Sequence, residues 1–401
     1  MSEKVPKGWK RVKLENSPVL IIDGDRGRNY PKKDDFLQNG YCLFLNTKNV
    51  TSQGFDFSEC KFISKEKDEI LRKGKLERND VVLTTRGTVG NVAFYNGKVP
   101  FENIRINSGM VIIRPNGIYP DFNYQLFRYL KFKFGEFTSG SAQSQLPIRD
   151  LKQLVILLPP FQEQRAIASV LSSLDDKIDL LHRQNKTLEK MAETLFRQWF
   201  IEEAKEDWEE KKLEEVCFIR NGYAFKSETY QKRGQKIIRT LNFKNGFVDT
   251  EKIVYISEEL AKSFNKYFLN RKDFLLVMVG ANIGNYAVVT KDILPALQNQ
   301  NMWCFKALQP DFQFYLNYYL KQIIKEKKNI VSGSAREFFQ KKVFANFTIP
   351  VPENIKLRKF NKIVEDIFSK IENNRIQIRT LEKLRDTLLP KLMSGEVRVK
   401  I

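Results

Sequence analysis

Two segments of the chain repeat apolar residues in steps that alternate between three and four. The first follows the motif LPPFQEQ at Leu158 and has no Gly or Pro through Ala204; the second follows IPVPEN at Ile349 and has none from Glu353 to Leu389. Proline favours helix starts, and a sustained 3.5-residue repeat is typical of a coiled-coil seam. The pattern predicts two long helices that pair with each other. The alternative is that each apolar stripe packs only on its own globular domain.

The rest of the chain has short apolar runs between Gly, Asn and Pro. Runs such as DVVLTT, NVAFY, GMVIIRP, DFLLVMV and NYAVV are rich in β-branched and aromatic residues, which favours strands. Longer runs at Phe122 to Phe134 and Phe312 to Lys328 predict one helix in each half. The sequence therefore indicates mixed α+β domains.

The two halves of the chain have the same plan. TLEKMAETL at Thr187 to Leu195 returns as TLEKLRDTL at Thr380 to Leu388, and YPDFNYQLFRYL is echoed by QPDFQFYLNYYL. SGSA also occurs twice, and all these pairs are separated by about 190 to 200 residues. We predict two repeated α+β domains, separated by two long helices that form an intramolecular antiparallel coiled coil with approximate two-fold symmetry. The predicted parts are 1–157, a first domain; 158–206, a central helix; 207–349, a second domain; and 350–401, a C-terminal helix.

Composition restricts the function. The 401 residues include 68 Lys and Arg but only 48 Asp and Glu, for a formal charge of +20. This excess predicts a polyanionic partner, and it lies mainly on the two domains, while residues 159–206 are slightly acidic. No apolar run approaches the ~18 residues that span a bilayer, and the start has no secretory pattern, so we expect a cytoplasmic protein without membrane contact.

The first helical segment resembles the central region of type I restriction-modification specificity subunits. The resemblance is carried by LPPFQEQ with Glu163-Gln164, by Leu174-Asp175-x-Lys177-Ile178, and by Leu195-Phe196-x-x-Trp199-Phe200. The second segment matches more loosely, since IPVPENIKLR replaces the Pro-Pro-x-x-Glu-Gln pattern and Pro390 stands in place of Arg197. The order of domains and helices matches along the whole chain.

The resemblance implies a non-catalytic subunit that binds double-stranded DNA. Each domain of such a protein reads one half of a bipartite, asymmetric site, and the helices set the spacer between the halves. Methyltransferase subunits that bind S-adenosylmethionine dock onto the scaffold, and a motor-nuclease subunit can join them. The specificity subunit itself carries no cofactor.

Each seam contains a single asparagine. An antiparallel alignment with Ile167 opposite Leu392 and Trp199 opposite Phe360 gives every seam residue a partner and places Asn185 opposite Asn374. A lone seam polar residue destabilises a coiled coil unless it meets a partner. We predict an Asn185–Asn374 contact that fixes the register. The alternative is that one or both amides turn to water or to a methyltransferase subunit. The seam positions are Ile167, Leu171, Leu174, Ile178, Leu181, Asn185, Leu188, Ala192, Leu195 and Trp199 in the first helix, and Phe360, Val364, Ile367, Ile371, Asn374, Ile378, Leu381, Arg385, Leu388 and Leu392 in the second.

Candidate DNA-binding residues are the cationic, amide and hydroxyl side chains of loop-like stretches. Such side chains contact phosphates and base edges. The alternative for each of them is an ordinary solvated loop position. The candidates are Arg26, Arg28, Lys32, Lys33, Thr85, Arg86, Thr88, Gln143 and Gln145 in the first domain, and Arg220, Lys226, Gln298, Gln300, Asn301 and Arg336 in the second.

The competing hypothesis is a fused methyltransferase or nuclease with its own target domains. Leu158-Pro159-Pro160-Phe161 has the shape of an amino-methyltransferase motif, but leucine cannot accept the hydrogen bond of the target amine. No Walker motif is present, and one histidine with four scattered cysteines makes no zinc pattern. Pro310-Asp311 and Glu326 suggest a nuclease motif, but a helix separates them. We therefore predict no catalytic residues, no metal and no cofactor; S-adenosylmethionine binding by the isolated chain would distinguish the two hypotheses.

Overall fold

The computed structural model of the protein describes residues 5–134, 145–280, 282–330 and 340–400. The chain divides into two compact units, one of Met1–Asp179 with Thr380–Ile401 and one of Leu180–Arg379. Both units combine helices with antiparallel and mixed sheets, so the predicted α+β class is confirmed.

The first unit is built on a four-stranded antiparallel sheet of order β2-β10-β7-β8. A three-stranded sheet, β6-β3-β9, contains the parallel pair β3 and β9, while β1 pairs with β11 and β4 with β5. Its strands are β1 Lys10–Lys13, β2 Val19–Asp23, β3 Cys42–Leu45, β4 Val50–Thr51, β5 Gly54–Phe55, β6 Phe62–Ile63, β7 Val81–Thr84, β8 Val92–Phe94, β9 Ile104–Ile106, β10 Met110–Pro115 and β11 Val155–Leu158. Its shorter helices are α1 Lys65–Ile70, α2 Pro120–Phe134 and α3 Ile148–Gln153.

Both faces of the four-stranded sheet are covered. On one face Leu83 and Ile113 pack with Phe122 and Phe127 of α2. On the other face Val82 packs in a second cluster, with side chains from β3 and β9. A sheet buried on both sides needs continuous apolar runs and not alternating ones, which is why β7 reads VVLT and β10 begins MVII.

The second unit repeats this plan strand by strand, from β12 as the counterpart of β1 to β22 as the counterpart of β11. Its main sheet has the order β13-β21-β18-β19-β16-β15, beside the three-stranded sheet β17-β14-β20 and the pair β12-β22. The strands are β12 Glu209–Lys212, β13 Cys217–Asn221, β14 Gln235–Ile238, β15 Phe243–Lys244, β16 Phe247–Val248, β17 Val254–Ile256, β18 Phe274–Val277, β19 Tyr286–Val288, β20 Ala296–Gln298, β21 Met302–Ala307 and β22 Thr348–Val351. The shorter helices are α5 Leu213–Val216, α6 Glu258–Lys262, α7 Gln313–Ile330 and α8 Lys341–Ala345, with α4 and α9 being the long ones described next.

The two predicted long helices are present. The first long helix, α4, spans Phe161–Arg197 and ends in a π-helical turn at Gln198–Glu202, and the second, α9, spans Asn354–Ser394. Each predicted seam position is buried or half-buried. The second helix continues through Pro390, although an internal proline removes a helix hydrogen bond. Leu392 and Met393 beyond it are buried in the first unit's core, and this packing holds the last turn.

Within each unit the two helices pair antiparallel in the predicted register. In the first unit, Ile167 and Leu392 lie in one hydrophobic cluster. In the second unit, the ring centroids of Trp199 and Phe360 are 6.4 Å apart. Between these two contacts, Asn374 donates from Nδ2 to Oδ1 of Asn185 at 2.9 Å, and both amides are buried. The structure therefore brings the two seam asparagines together.

Candidate nucleic-acid interface

In the first unit, four loops meet at one end of the four-stranded sheet. We call residues 24–33, 46–49, 85–90 and 107–109 the first loop cluster. The backbone N–H groups of Thr85 and Arg86 both donate to the carbonyl of Gly109, at 2.9 and 3.2 Å. Gly24 passes so close to Asn107 that a Cβ would lie 2.5 Å from its carbonyl oxygen, so this position requires glycine. Loops that are far apart in sequence thus form one surface.

This cluster presents several of the predicted cationic side chains. Arg26, Arg28 and Arg86 are exposed, and among the described residues neither Arg28 nor Arg86 forms an ion pair. Arg26 donates from Nη2 to Asp23 at 3.2 Å and to the carbonyl of Ser108 at 3.3 Å, which holds it beside the 107–109 loop. The sequence analysis missed Lys48, which is exposed in the turn Thr47–Asn49.

The loop that carries Arg26 and Arg28 is anchored by a buried acid. Burial raises the pKa of a carboxylic acid, but Asp25 accepts the N–H groups of Gly27 at 2.7 Å and Arg72 at 2.8 Å. Together with the Arg72 guanidinium, these donors hold the pKa of Asp25 below its ordinary value. The carboxylate is therefore charged at neutral pH and fixes the loop that presents the two arginines.

Most of the remaining candidates of the first domain are exposed, and one is buried. Lys32, Lys33, Thr88 and Gln145 are exposed, and Gln145 forms a β-bridge with Arg86. Thr85 does not lie on the surface, as a DNA-binding residue would. It is buried, and its hydroxyl donates to the carbonyl of Gly109 at 3.1 Å, so it supports the loop from inside. Two candidates, Gln143 in this domain and Arg336 in the second, lie outside the described residues.

The second unit has an equivalent surface, the second loop cluster, formed by residues 222–226, 239–242, 278–280 and 299–301. The Met278 N–H donates to the carbonyl of Asn301 at 3.2 Å, as Thr85 does to Gly109. The Gln300 N–H donates to the carbonyl of Tyr223 at 2.9 Å. Gly222 closely approaches Asn299, as Gly24 approaches Asn107. The two units therefore build the same surface from different sequences.

Three predicted residues of the second domain are exposed on or beside this surface: Lys226, Gln300 and Asn301. Asn301 has a φ of 68°, the left-handed conformation that asparagine tolerates. Two other predicted residues are corrected. Gln298 is fully buried and donates to the carbonyls of Arg220 and Met302, while Arg220 donates to Gln298 Oε1 at 2.8 Å. Their polar groups are used inside the domain, so both belong to its framework.

Sequence reasoning also missed three residues of the second loop cluster. Leu241, Val279 and Tyr223 are exposed by 60%, 57% and 38%. They carry no cationic or amide group, which are the groups that the sequence analysis expects at a DNA contact. An alignment of the two repeats that starts from Arg86 would have found Val279.

The described residues offer neither a metal site nor a membrane-spanning helix. His182, the one histidine of the chain, is exposed on the first long helix. Across residues 5–134, 145–280, 282–330 and 340–400, no three His, Cys, Asp or Glu side chains are grouped so that they could hold a metal ion. None of the helices in that part of the structure is long and apolar enough to cross a membrane.

Comparisons with known proteins agree on one family. A family model described as type I restriction modification DNA specificity domain matches residues 6–190 and again residues 205–385. The type I restriction enzyme MjaIX specificity subunit of Methanocaldococcus jannaschii is 28% identical and covers 99% of this chain and 95% of its own length. The type I restriction enzyme HindI specificity subunit of Haemophilus influenzae is 22% identical, and the match covers 97% of this chain and 99% of that protein.

A solved structure has the same fold. The crystal structure of the type I restriction-modification S subunit from M. genitalium superposes with a TM-score of 0.61 at 17% identity, covering 98% of this chain and 97% of that one. The family model accounts for most of the chain and matches it twice, once in each repeat. The chain therefore belongs to the type I restriction-modification specificity subunits and carries two target-recognition domains.

Proposed function

We propose that this chain is the non-catalytic DNA-reading subunit of a cytoplasmic type I restriction-modification complex. Its two domains each read one half of a bipartite site in double-stranded DNA. The observation that carries this proposal is the pair of loop clusters, which have one backbone plan and different exposed side chains. Equivalent loops hold equivalent positions against a duplex, and different side chains there favour different bases. The complete site is therefore asymmetric.

In this proposal the long helices set the length of the DNA spacer between the two half-sites. They also hold the methyltransferase subunits, and a motor-nuclease subunit can join the complex. In this proposal the docking subunits cover apolar side chains that the two helices leave exposed. They are Leu180 and Met191 on the first helix, and Ile363, Ile376 and Leu384 on the second. The proposed division into 1–157, 158–206, 207–349 and 350–401 assigns reading to the domains and spacing to the helices.

DNA reading is tested by changing Arg86→Ala in the full complex. Removing an arginine that contacts a base or phosphate weakens binding by about 1–3 kcal/mol, or roughly 5- to 150-fold. Affinity should fall by that factor for the cognate site, measured by titration of labelled duplex at several salt concentrations. Arg11→Ala is the matched control, since Arg11 is exposed on β1, away from the loop cluster. Equal effects of the two changes would contradict the proposed interface.

The asparagine pair has the role of fixing the register of the helices. Asn374→Leu leaves the buried Asn185 amide without its 2.9 Å partner, which should cost about 1–3 kcal/mol of unfolding free energy. Asn185→Leu with Asn374→Leu removes both amides and should recover most of that loss. Denaturant unfolding of the single and double variants measures this difference. Additive losses in the double variant would show that the two amides do not depend on each other.

A further inference from the structure

The two loop clusters carry different side chains at one pair of equivalent positions, in the turns after β3 and β14. In the first unit the Asn46 N–H donates to Oδ1 of Asn49 at 3.0 Å. In the second unit the Arg239 N–H donates to Oδ1 of Asn242, also at 3.0 Å. The turns Thr47–Asn49 and Thr240–Asn242 are thus the same motif, and their middle residues are Lys48 and Leu241.

A second pair lies in the loop after β7 and its counterpart after β18. Thr85 and Met278 make the same backbone hydrogen bond, to the carbonyls of Gly109 and Asn301. The next residues, Arg86 and Val279, are therefore equivalent. Where the first domain presents a lysine and an arginine, the second presents a leucine and a valine.

Leu241 and Val279 stand in solvent, exposed by 60% and 57%. Over the described part of the chain, neither belongs to a hydrophobic cluster of its domain. Apolar side chains gain free energy only when they leave water, at about 25 cal/mol per Å². Packing inside the domain does not explain why apolar residues stand at these two positions. A contact with a molecule outside the domain explains them better.

The surroundings of these two residues fit a duplex. The 299–301 loop joins the two positions, since the Asn299 N–H donates to the carbonyl of Ile238 at 3.1 Å and the Met278 N–H donates to the carbonyl of Asn301 at 3.2 Å. Gln300 and Asn301 of this loop are exposed, and amides of this kind bond to adenine edges.

Lys226 of the second loop cluster is exposed, and so is Lys266, whose neighbour Tyr267 has its ring centroid 5.3 Å from that of Tyr223 in the cluster. These charges suit a phosphate backbone and not a purely apolar protein surface. The apolar group that the major groove offers is the C5-methyl of thymine.

We propose that Leu241 and Val279 contact thymine C5-methyl groups in the half-site that the second domain reads. This inference rests on the proposed DNA-reading function. The first domain, with Lys48 and Arg86 at the same positions, reads guanine edges or phosphates there. The second half-site therefore contains thymine where Leu241 and Val279 meet it, and replacing that thymine by uracil removes only the methyl group.

The test uses the full chain with its methyltransferase subunits. Long-read sequencing of modified bases first gives the bipartite site, and duplexes are then made with each thymine replaced in turn by deoxyuridine. One buried methyl corresponds to about a four-fold change in affinity. At least one replacement in the second half-site should weaken wild-type binding about four-fold. The same replacement should change binding of the Leu241→Ala, Val279→Ala double variant by less than two-fold.

Leu308→Ala is the matched control, because Leu308 is also 60% exposed but follows the opposite end of β21. It should keep the full response to uracil. The inference is overturned if the half-site has no thymine, if the double variant responds like wild type, or if the double change weakens subunit assembly while leaving DNA binding intact. The Arg86→Ala variant shows independently which half-site the first domain reads. A complex that binds no DNA sequence specifically overturns the proposed function itself.

Discussion

Duplicating one heptad in each long helix should widen the gap in the recognised DNA sequence by about three base pairs. Repeating residues 178–184 in the first helix and 375–381 in the second keeps the 3.5-residue seam and leaves Asn185 opposite Asn374. Seven residues add about 10 Å of helix, and a base pair rises ~3.4 Å along the duplex. Both half-sites should stay the same, since neither loop cluster changes.

Affinity for the original site should fall steeply in this variant. Only one domain can then meet its half-site in the original gap, and losing several base contacts at about 1–3 kcal/mol each predicts at least a 100-fold loss. Three extra base pairs also turn the duplex by about 100°. A heptad changes the helical phase by only about 20°, so the variant should bind its widened site less tightly than wild type binds its own.

A series of duplexes with gaps from the original length to six base pairs longer measures the preferred spacing. The control repeats the heptad in the first helix only, which shifts one seam against the other and should prevent assembly. An assembled variant that keeps the original gap would show that the helices do not set the distance.

The long helices could be predicted from sequence because their determinants are local. A 3.5-residue repeat, proline before the helix and no glycine inside it are all visible in the chain, and the observed helices begin at Phe161 and Asn354, just after the prolines of the two motifs. The register was also accessible, because only one antiparallel alignment pairs Asn185 with Asn374. Strands such as Val81–Thr84 were identified from apolar runs for the same reason.

The loop surfaces were less accessible, because they depend on which strands become neighbours. Gln298 looks like a loop amide, but β20 pairs in parallel with β14, and this pairing buries it beside Arg220. Leu241 and Val279 are apolar, so residue type alone does not mark them as DNA contacts. The matching hydrogen bonds of the two units show that these residues are equivalent to Lys48 and Arg86.

Glu372 is another residue whose role could not be read from the chain. It follows the seam residue Ile371, where charged residues normally face solvent, yet it is fully buried. Arg271 donates to its carboxylate from Nε and Nη2, at 2.9–3.1 Å, and the Lys291 N–H donates at 2.7 Å. Through these bonds the second domain is fastened to the second long helix within its own unit.

Glu372→Ala should lower the free energy of unfolding of the second unit by about 3 kcal/mol. Removing one partner of a buried ion pair leaves the other charge uncompensated, which typically costs 3–5 kcal/mol. The lower end applies because Arg271 keeps an ion pair with Glu365 at 2.6 Å and a hydrogen bond to Ser369 at 3.1 Å. Denaturant unfolding followed by tryptophan fluorescence measures the loss, since Trp208 and Trp303 lie in this unit's core.

The control is Asp366→Ala, an exposed acid on the same helix, which should change stability by no more than about 0.5 kcal/mol. The stability loss of Glu372→Gln should fall between those of the other two variants, because its amide oxygen can still accept from the Lys291 N–H while the ion pair with Arg271 is lost and only Glu365 remains to compensate that charge. This order follows from the geometry of one carboxylate and two donors. If Glu372→Ala unfolds like Asp366→Ala, the domain is held to the helix by apolar packing alone, and the ion pair has no part in positioning the loops that are proposed to read DNA.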